Sequence, residues 1–246
     1  MRSISVFRAA LLAAVMGLTA MSSPALHAQE PTEERITEVF FHRIAVAPFL
    51  VGHRQPNMDE TLDDTLSCPI NQICVDDPSI QPDAGPMMQR LVYSALKGRF
   101  DKHVVPMDQV QAAYTGIRLD GSKDSPRTMA RRMGQSLSAD LMLVGTVWRY
   151  RDRDAIEGIP DRPASVAFAL YLVEAETGRR LWRGIFDMAQ EFVLRDMARF
   201  SDRIRMGFKW LSADELARHG VKEVFRPFPT HIKPMNATND NERRIQ

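Results

Sequence analysis

The fold is decided by the stretch DLMLVGTVWRY, residues 140–150, in which apolar and β-branched residues follow one another almost without a break. A second apolar run, ASVAFALYLV, occupies residues 164–173, and a third, LWRGIFD, occupies residues 181–187. Runs of this length and composition predict strands. The turn ETGR, residues 176–179, has Gly178 where a tight hairpin requires a positive φ. We therefore expect an antiparallel three-stranded meander with its second strand in the centre.

Helices are predicted before and after this meander in the chain. A core-facing stripe of apolar residues predicts a helix over 86–99, and a shorter helix is expected over 107–114. Ser125 and Pro126 provide an N-cap and a first-turn proline for a helix that runs to about Ser138. The sequence from Ser212 to Glu215 is a capping box for a last helix with Gly220 as its stop, and Val221 to Phe225 could add one more turn.

Together these elements predict an α/β fold with one central mixed sheet and packed helices. The run RIAVAPF, residues 43–49, supplies a further buried strand that is ended by Pro48, and residues 103–106 read as a short strand. A single domain is expected over 43–229, after a loose lead-in at 29–42. Residues 230–246 are polar and are predicted to be a disordered tail.

The first 28 residues have the layout of a secretory signal peptide. Arg2 and Arg8 precede an apolar run from Ala9 to Met21, and small residues up to Ala28 suit cleavage. The run is shorter than the roughly 20 residues needed to span a bilayer. We expect export to the periplasm and cleavage after Ala28, with Ala25 as the alternative site, and no lipid anchor, because no cysteine lies near either site.

The charge of the chain gives no reason to expect nucleic acid as a partner. The formal net charge is +1, and removal of the leader with its two arginines lowers it to −1. A near-neutral surface lacks the basic patch that binds phosphate backbones or anionic lipid. The sequence contains no H-E-x-x-H, G-x-x-x-x-G-K-[ST], G-x-G-x-x-G or G-x-S-x-G motif, and no catalytic residue and no cofactor are predicted.

The two cysteines lie in CPINQIC, as Cys68 and Cys74. In an oxidising compartment a disulfide is the expected state, and it would shape a loop rather than hold the fold. A redox or metal pair is the alternative. A redox pair usually has two intervening residues, and a metal needs further ligands nearby.

A segment over 50–84 contains both cysteines and is predicted to be a long loop without periodic structure. Its acids include Asp59, Asp63 and Asp64, and a loop of this length inside a domain is usually functional or disordered. We expect it to contact a partner. A solvated insertion that binds nothing is the alternative, and His53 with these acids could instead form a metal site.

The connection at 149–162 is rich in charge of both signs. At strand spacing Arg149, Arg151 and Arg153 lie on one side, with Trp148 and Tyr150 on the other. We interpret the arginines as the polar rim of a partner interface. A salt-bridged strand end is the alternative.

Three of these segments resemble a family of bacterial envelope proteins. Residues 44–49 (IAVAPF) are similar to the opening strand of proteins related to the curli secretion protein CsgG, the amino-terminal domain of TolB and the LpoB activator of peptidoglycan synthases. Residues 139–147 (ADLMLVGTV) and 165–182 resemble the family's later strands and its Thr-Gly turn. The resemblance covers about residues 43–190, and 207–216 look like the tail of uncharacterised lipoproteins of this group.

The resemblance implies a protein that binds other envelope proteins and has no enzymatic activity. The chain departs from the family in lacking a lipidation cysteine and long amphipathic pore strands, and no family binding residue falls on a matching position. A structural subunit of an envelope complex and a small-molecule or metal-dependent enzyme are the alternatives. Formation of a homo-oligomer by this chain is left open.

Overall fold

The computed structural model describes residues 38–52, 64–156, 159–189 and 211–235. All of them belong to one compact unit, Thr37–Gln246. The predicted signal peptide and most of the lead-in lie outside the described residues. The elements along the chain are β1 (Val39–Phe41), β2 (Ile44–Val46), β3 (Leu50–Val51), α1 (Asp64–Ser67), α2 (Ile70–Ile73), α3 (Ala84–Phe100), α4 (Met107–Gly116), α5 (Pro126–Leu137), β4 (Leu141–Arg151), β5 (Asp154–Ile156), β6 (Ile159–Arg162), β7 (Ser165–Glu174), β8 (Arg180–Ala189), α6 (Ala213–Phe225) and β9 (Ile232–Pro234).

A five-stranded mixed sheet forms the centre, as predicted. Its order is β2-β4-β7-β8, and β3 also pairs with β4. The strands β4, β7 and β8 are antiparallel neighbours, while β2 and β3 run parallel to β4. The meander is confirmed, and Gly178 has the positive φ of 77° that its turn requires.

The central strands are apolar on both faces because helices cover both faces. Alternate residues of β4, such as Leu141 and Leu143, enter a core closed by α3 and α6. Their neighbours Met142 and Val144 enter a second core closed by α4 and α5. We call these two sides the α3/α6 face and the α4/α5 face.

The turn between β7 and β8 is held by α5. The side chain of Ser125 accepts a hydrogen bond from the backbone N–H of Thr128, which confirms the predicted N-cap. From the following helix, Arg127 donates to the carbonyl oxygen of Gly178. Arg131 donates to that of Glu176 at 3.1 Å. The hairpin is therefore tied to the helix that precedes the sheet.

The capping box of α6 is confirmed, and Gly220 does not stop the helix, which includes the further turn over 221–225. Ser212 and Glu215 bond to each other's backbone N–H groups, and the helix continues to Phe225. Gly220 is needed for packing instead. A Cβ there would lie 2.6 Å from the ring of Phe186 in β8, so the glycine lets the helix approach the sheet.

The segment 50–84 is only partly the loop that was predicted. Residues 50 and 51 form β3, and 64–73 contain α1 and α2. Leu66, Ile73 and Ile80 are buried, with exposures of 0%, 1% and 6%. Apolar side chains at these positions secure this part of the segment to the core.

Two short strands pair outside the expected bounds of the domain, 43 and 229. β1 and β9 form a two-stranded parallel sheet, in which Val39 pairs with Ile232. Lys233 forms an ion pair with Glu38. The lead-in and the start of the predicted disordered tail are therefore joined, while residues 236–246 lie outside the described part of the chain.

Two shorter segments differ from prediction. Residues 101–103 form a 3-10 turn, and only Val104 makes a bridge, to Ile44. The 149–162 connection contains the antiparallel pair β5 and β6. None of the described helices is long and apolar enough to cross a membrane.

Candidate functional site

A β-bulge at Trp148 changes the direction of the side chains at the end of β4. Val147 pairs with Phe168, but the next pair is Arg149 with Ala167, so Trp148 is an extra residue. Trp148 lies in the core of the α4/α5 face and Tyr150 in that of the α3/α6 face. The prediction that these two aromatics share one side is wrong, because an inserted residue breaks the period-two alternation.

Beyond the bulge, a row of residues crosses the end of the sheet and forms one wall of a cleft. Arg151 of β4 pairs with Ser165 of β7, and Ser165 pairs with Ala189 of β8. All three line a cavity of about 540 Å³. The cleft is thus placed by the register of the three central strands.

The opposite wall is the segment Pro78–Pro82, which lies just before α3. The backbone N–H of Gln81 donates to the carbonyl oxygen of Tyr150 at 2.9 Å. Ile80 is buried below the segment, and Ser79 is exposed. Asp152 and Pro163 complete the lining. The two surfaces predicted to contact a partner, 50–84 and 149–162, therefore meet in one cleft.

The first turn of α6 fixes the residues at this end of β4. The hydroxyl of Tyr150 donates to Oδ1 of Asp214 at 2.5 Å, and the N–H of Ala213 donates to Oδ1 of Asp152 at 3.2 Å. Burial raises the pKa of Tyr150, and the adjacent Asp214 carboxylate raises it further. The Tyr150 hydroxyl therefore keeps its proton and remains a donor to Asp214. The Asp214 carboxylate lies in the first turn of α6, where the helix dipole stabilises a negative charge.

The cleft combines proline edges with a few polar groups. Pro78, Pro82 and Pro163 lack a backbone N–H, while Ser79, Gln81 and Arg151 offer donors. In the described part of the chain, Arg151 makes no ion pair. A guanidinium without a protein carboxylate can bind a carboxylate or a row of carbonyl oxygens of another molecule.

Arg149 and Arg153, which were also predicted to belong to a partner interface, do not line the cleft. Arg149 is half-buried and forms an ion pair with Asp187 of β8, so it supports the sheet. This outcome agrees with the salt-bridge alternative for that residue. Arg153 is exposed, and its backbone N–H donates to Asp152 at 2.9 Å. Only Arg151 of the three lines the cleft.

The predicted acidic residues are not brought to the cleft by the described structure. Asp59 and Asp63 lie outside the described residues, as does His53, and Asp64 is the first residue of α1. Over the described ranges, no group of three or more His, Cys, Asp or Glu side chains could hold a metal ion. The partner role and the metal role of these acids stay predictions.

Cys68 and Cys74 flank α2 and are both half-buried free thiols in the structure. Both pack against the core of the α4/α5 face. Burial raises the pKa of the Cys74 thiol. The structure thus does not contain the predicted disulfide, which stays a prediction for the exported protein.

Sequence reasoning missed several residues of the cleft. Ser79, Gln81 and Ser165 carry no motif, and their meeting depends on the pairing of distant strands. The prolines were a usable signal, since Pro78 and Pro82 lie near the end of the 50–84 segment and Pro163 directly follows the 149–162 connection.

No protein-family model matches the chain, and no curated protein does. Several solved structures are similar. The PelC dodecamer from Paraburkholderia phytofirmans is 13% identical, with 76% of this chain and 86% of that chain covered and a TM-score of 0.40. Lipoprotein GNA1162 from Neisseria meningitidis is 15% identical, with 69% and 99% covered and a TM-score of 0.37. The corresponding values for E. coli LpoB are 10%, 73% and 83%, with a TM-score of 0.36.

Proposed function

We propose that the chain is an exported, non-enzymatic protein of the bacterial envelope that binds a partner protein through the cleft at the end of the central sheet. The predicted leader at 1–28 and the resemblance of residues 43–190 to envelope proteins support the location. The convergence of Pro78–Pro82 with Arg151 and Ser165 supports the site.

The chemistry of the cleft suits a peptide segment. Prolines and Ala189 provide an apolar surface, and Arg151, Ser79 and Gln81 provide donors for carbonyl or carboxylate oxygens. Interface cores combine apolar contacts with a few such hydrogen bonds, and arginine is enriched there. We infer that Arg151 anchors a carboxylate or the backbone carbonyls of a bound loop.

Affinity capture from envelope extract tests the site. The mature protein is used as bait beside Arg151→Glu, which reverses the charge in the cleft, and Ser79→Trp, which fills its rim. Both residues are outside the buried core, so the variants are expected to fold. We expect the partner recovered by the wild-type protein to be lost or strongly reduced with both variants.

Lys123→Glu is the matched control, because Lys123 is exposed and lies in a turn away from the cleft lining. It should recover the partner as the wild-type protein does. Equal recovery by all four baits would contradict the proposed site. Deletion of 55–80 is not a useful bait, since it removes Leu66, Ile73 and Ile80 from the core.

Export has its own test. The amino-terminal sequence of the protein from its native host should begin at Gln29, and its two cysteines should resist alkylation until they are reduced. A protein that keeps Met1 and has reduced thiols would contradict the location.

A further inference from the structure

A groove separate from the cleft runs along the outer side of α3 and α6. Both helices begin near Tyr150, since Gln81 bonds to its carbonyl and Asp214 to its hydroxyl. Both end near Phe228, whose ring lies 5.9 Å from that of Phe100 in α3 and 5.5 Å from that of Phe225 in α6. The helices therefore run in the same direction, and the groove lies between residues 91–95 of α3 and residues 218–226 at the end of α6.

The floor of this groove is apolar. Leu91 and Ala95 of α3 face Val221 and Phe225 of α6 across a space of about 610 Å³. Each pair is four residues apart, so it lies on one side of its helix. Ser94 also lines the α3 side, and its small side chain leaves space in the groove. The resulting trough has room for apolar side chains of a further element.

The rim on the α6 side is basic. Arg218, Lys222 and Arg226 are exposed, line the groove and recur at every fourth residue. With a rise of about 1.5 Å per residue, consecutive cations lie about 6 Å apart along the helix. Arg226 pairs with Glu223 at 2.6 Å. Within the described part of the chain, Arg218 and Lys222 make no ion pair, and no acidic side chain lines the groove.

We propose that this groove binds an amphipathic helix of a partner protein that carries carboxylates at every fourth residue. Such a helix presents its acids at the same spacing of about 6 Å as the three cations, with apolar residues beside them for the floor. The groove is a second binding surface, separate from the cleft, with a ligand of different chemistry. Charge complementarity attracts such a helix to the groove and speeds its association.

The shape of the groove favours a helix over a membrane surface. Insertion into a bilayer requires apolar side chains that protrude. Here Val221 is buried at 4% exposure, and Leu91 and Phe225 are half-buried in the floor. The apolar side chains therefore lie at the bottom of a trough. A single helix can enter the trough, but a flat bilayer cannot.

Titration with a synthetic peptide tests the proposal. The probe is a fluorescein-labelled amphipathic peptide of about 16 residues, long enough to form a helix, with Glu at every fourth position and Leu beside it. A peptide with Lys in place of Glu is the control probe. Fluorescence anisotropy with the mature protein should show binding of the acidic peptide only, weakened by added salt.

Two variants locate the binding site. The double variant Arg218→Glu with Lys222→Glu should weaken binding by about tenfold or more, because it replaces attraction by repulsion at the rim. Its matched control, Lys102→Glu with Lys123→Glu, makes the same charge change at exposed lysines elsewhere and should bind as the wild-type protein does. Ser94→Trp fills the groove and should abolish binding, whereas Ser136→Trp on α5 should not.

Three other results would contradict the proposal. Absence of peptide binding, or equal binding by the two charge variants, would exclude the groove. Binding to phosphatidylglycerol vesicles but not to the peptide would identify a membrane surface instead. Arg151→Glu in the cleft should leave peptide binding unchanged, so failure here is distinguishable from failure of the proposed function.

Discussion

The hydroxyl of Tyr150 donates a 2.5 Å hydrogen bond to Asp214, 64 positions later in the chain. The bond joins the end of β4 to the first turn of α6, and Tyr150 itself is fully buried. The same turn is tied to Asp152, which lines the cleft. The position of the cleft therefore depends on the docking of α6.

Replacement of Tyr150 by Phe is expected to destabilise the protein. The substitution keeps the ring in the core and removes only the bond to a carboxylate, which contributes about 1.5–3 kcal/mol. Chemical denaturation should show this loss in the free energy of unfolding. Tyr114→Phe is the control, since no hydrogen bond of the Tyr114 hydroxyl is seen in the described structure, and it should change stability little.

The stability of the protein at alkaline pH should depend on the ionisation of Tyr150. Burial and the Asp214 carboxylate raise the pKa of Tyr150, so the folded state keeps its proton where the unfolded chain loses it. The contribution is complete below the ordinary tyrosine pKa of about 10 and decreases above it, by up to ~1.4 kcal/mol per pH unit. The wild-type protein should lose stability above this pH more steeply than Tyr150→Phe. Identical slopes in urea titrations between pH 9 and 11 would contradict the assignment.

Two helix glycines should respond to alanine with opposite signs. A Cβ at Gly98 in α3 meets nothing within 4 Å, so Gly98→Ala should stabilise by about 0.5–1 kcal/mol. At Gly220 it would lie 2.6 Å from Phe186, and Gly220→Ala should destabilise by about 1–3 kcal/mol. Thermal unfolding of the two variants side by side measures this difference, and stabilisation by both would disprove the close packing of α6 on β8.

The reduced Cys74 thiol should react slowly. Burial raises its pKa, which lowers the fraction of reactive thiolate at neutral pH. In a Cys68→Ser variant, labelling by iodoacetamide should be slower for the folded protein than for the same protein in urea. Equal rates would show that the thiol is not protected by the fold.

The sequence was sufficient for the meander because its strands are neighbours in the chain and are joined by a hairpin turn with Gly178. The capping box of α6 was also predictable, since Ser212 and Glu215 act within one turn. Local signals of this kind depend on few residues and are not altered by distant contacts.

Pairings between distant segments were not predictable in the same way. β1 and β9 have three residues each, and their ion pair, Lys233 with Glu38, joins positions 195 apart. The bulge at Trp148 leaves no signal in an apolar strand. The cleft was predicted as two separate segments, and only the strand register showed that they meet. The spacing of Arg218, Lys222 and Arg226 was visible in the sequence and could have identified the basic rim.

Photo-crosslinking from the cleft tests the central claim most directly. A photoreactive residue at Ser79 of the chain, expressed in its native host, should give one discrete crosslinked adduct that disappears when Arg151→Glu is added. The same residue at Ser122, exposed in a turn outside the cleft lining, should give no such adduct. An identical adduct from both positions, or none from Ser79, would contradict partner binding at this site.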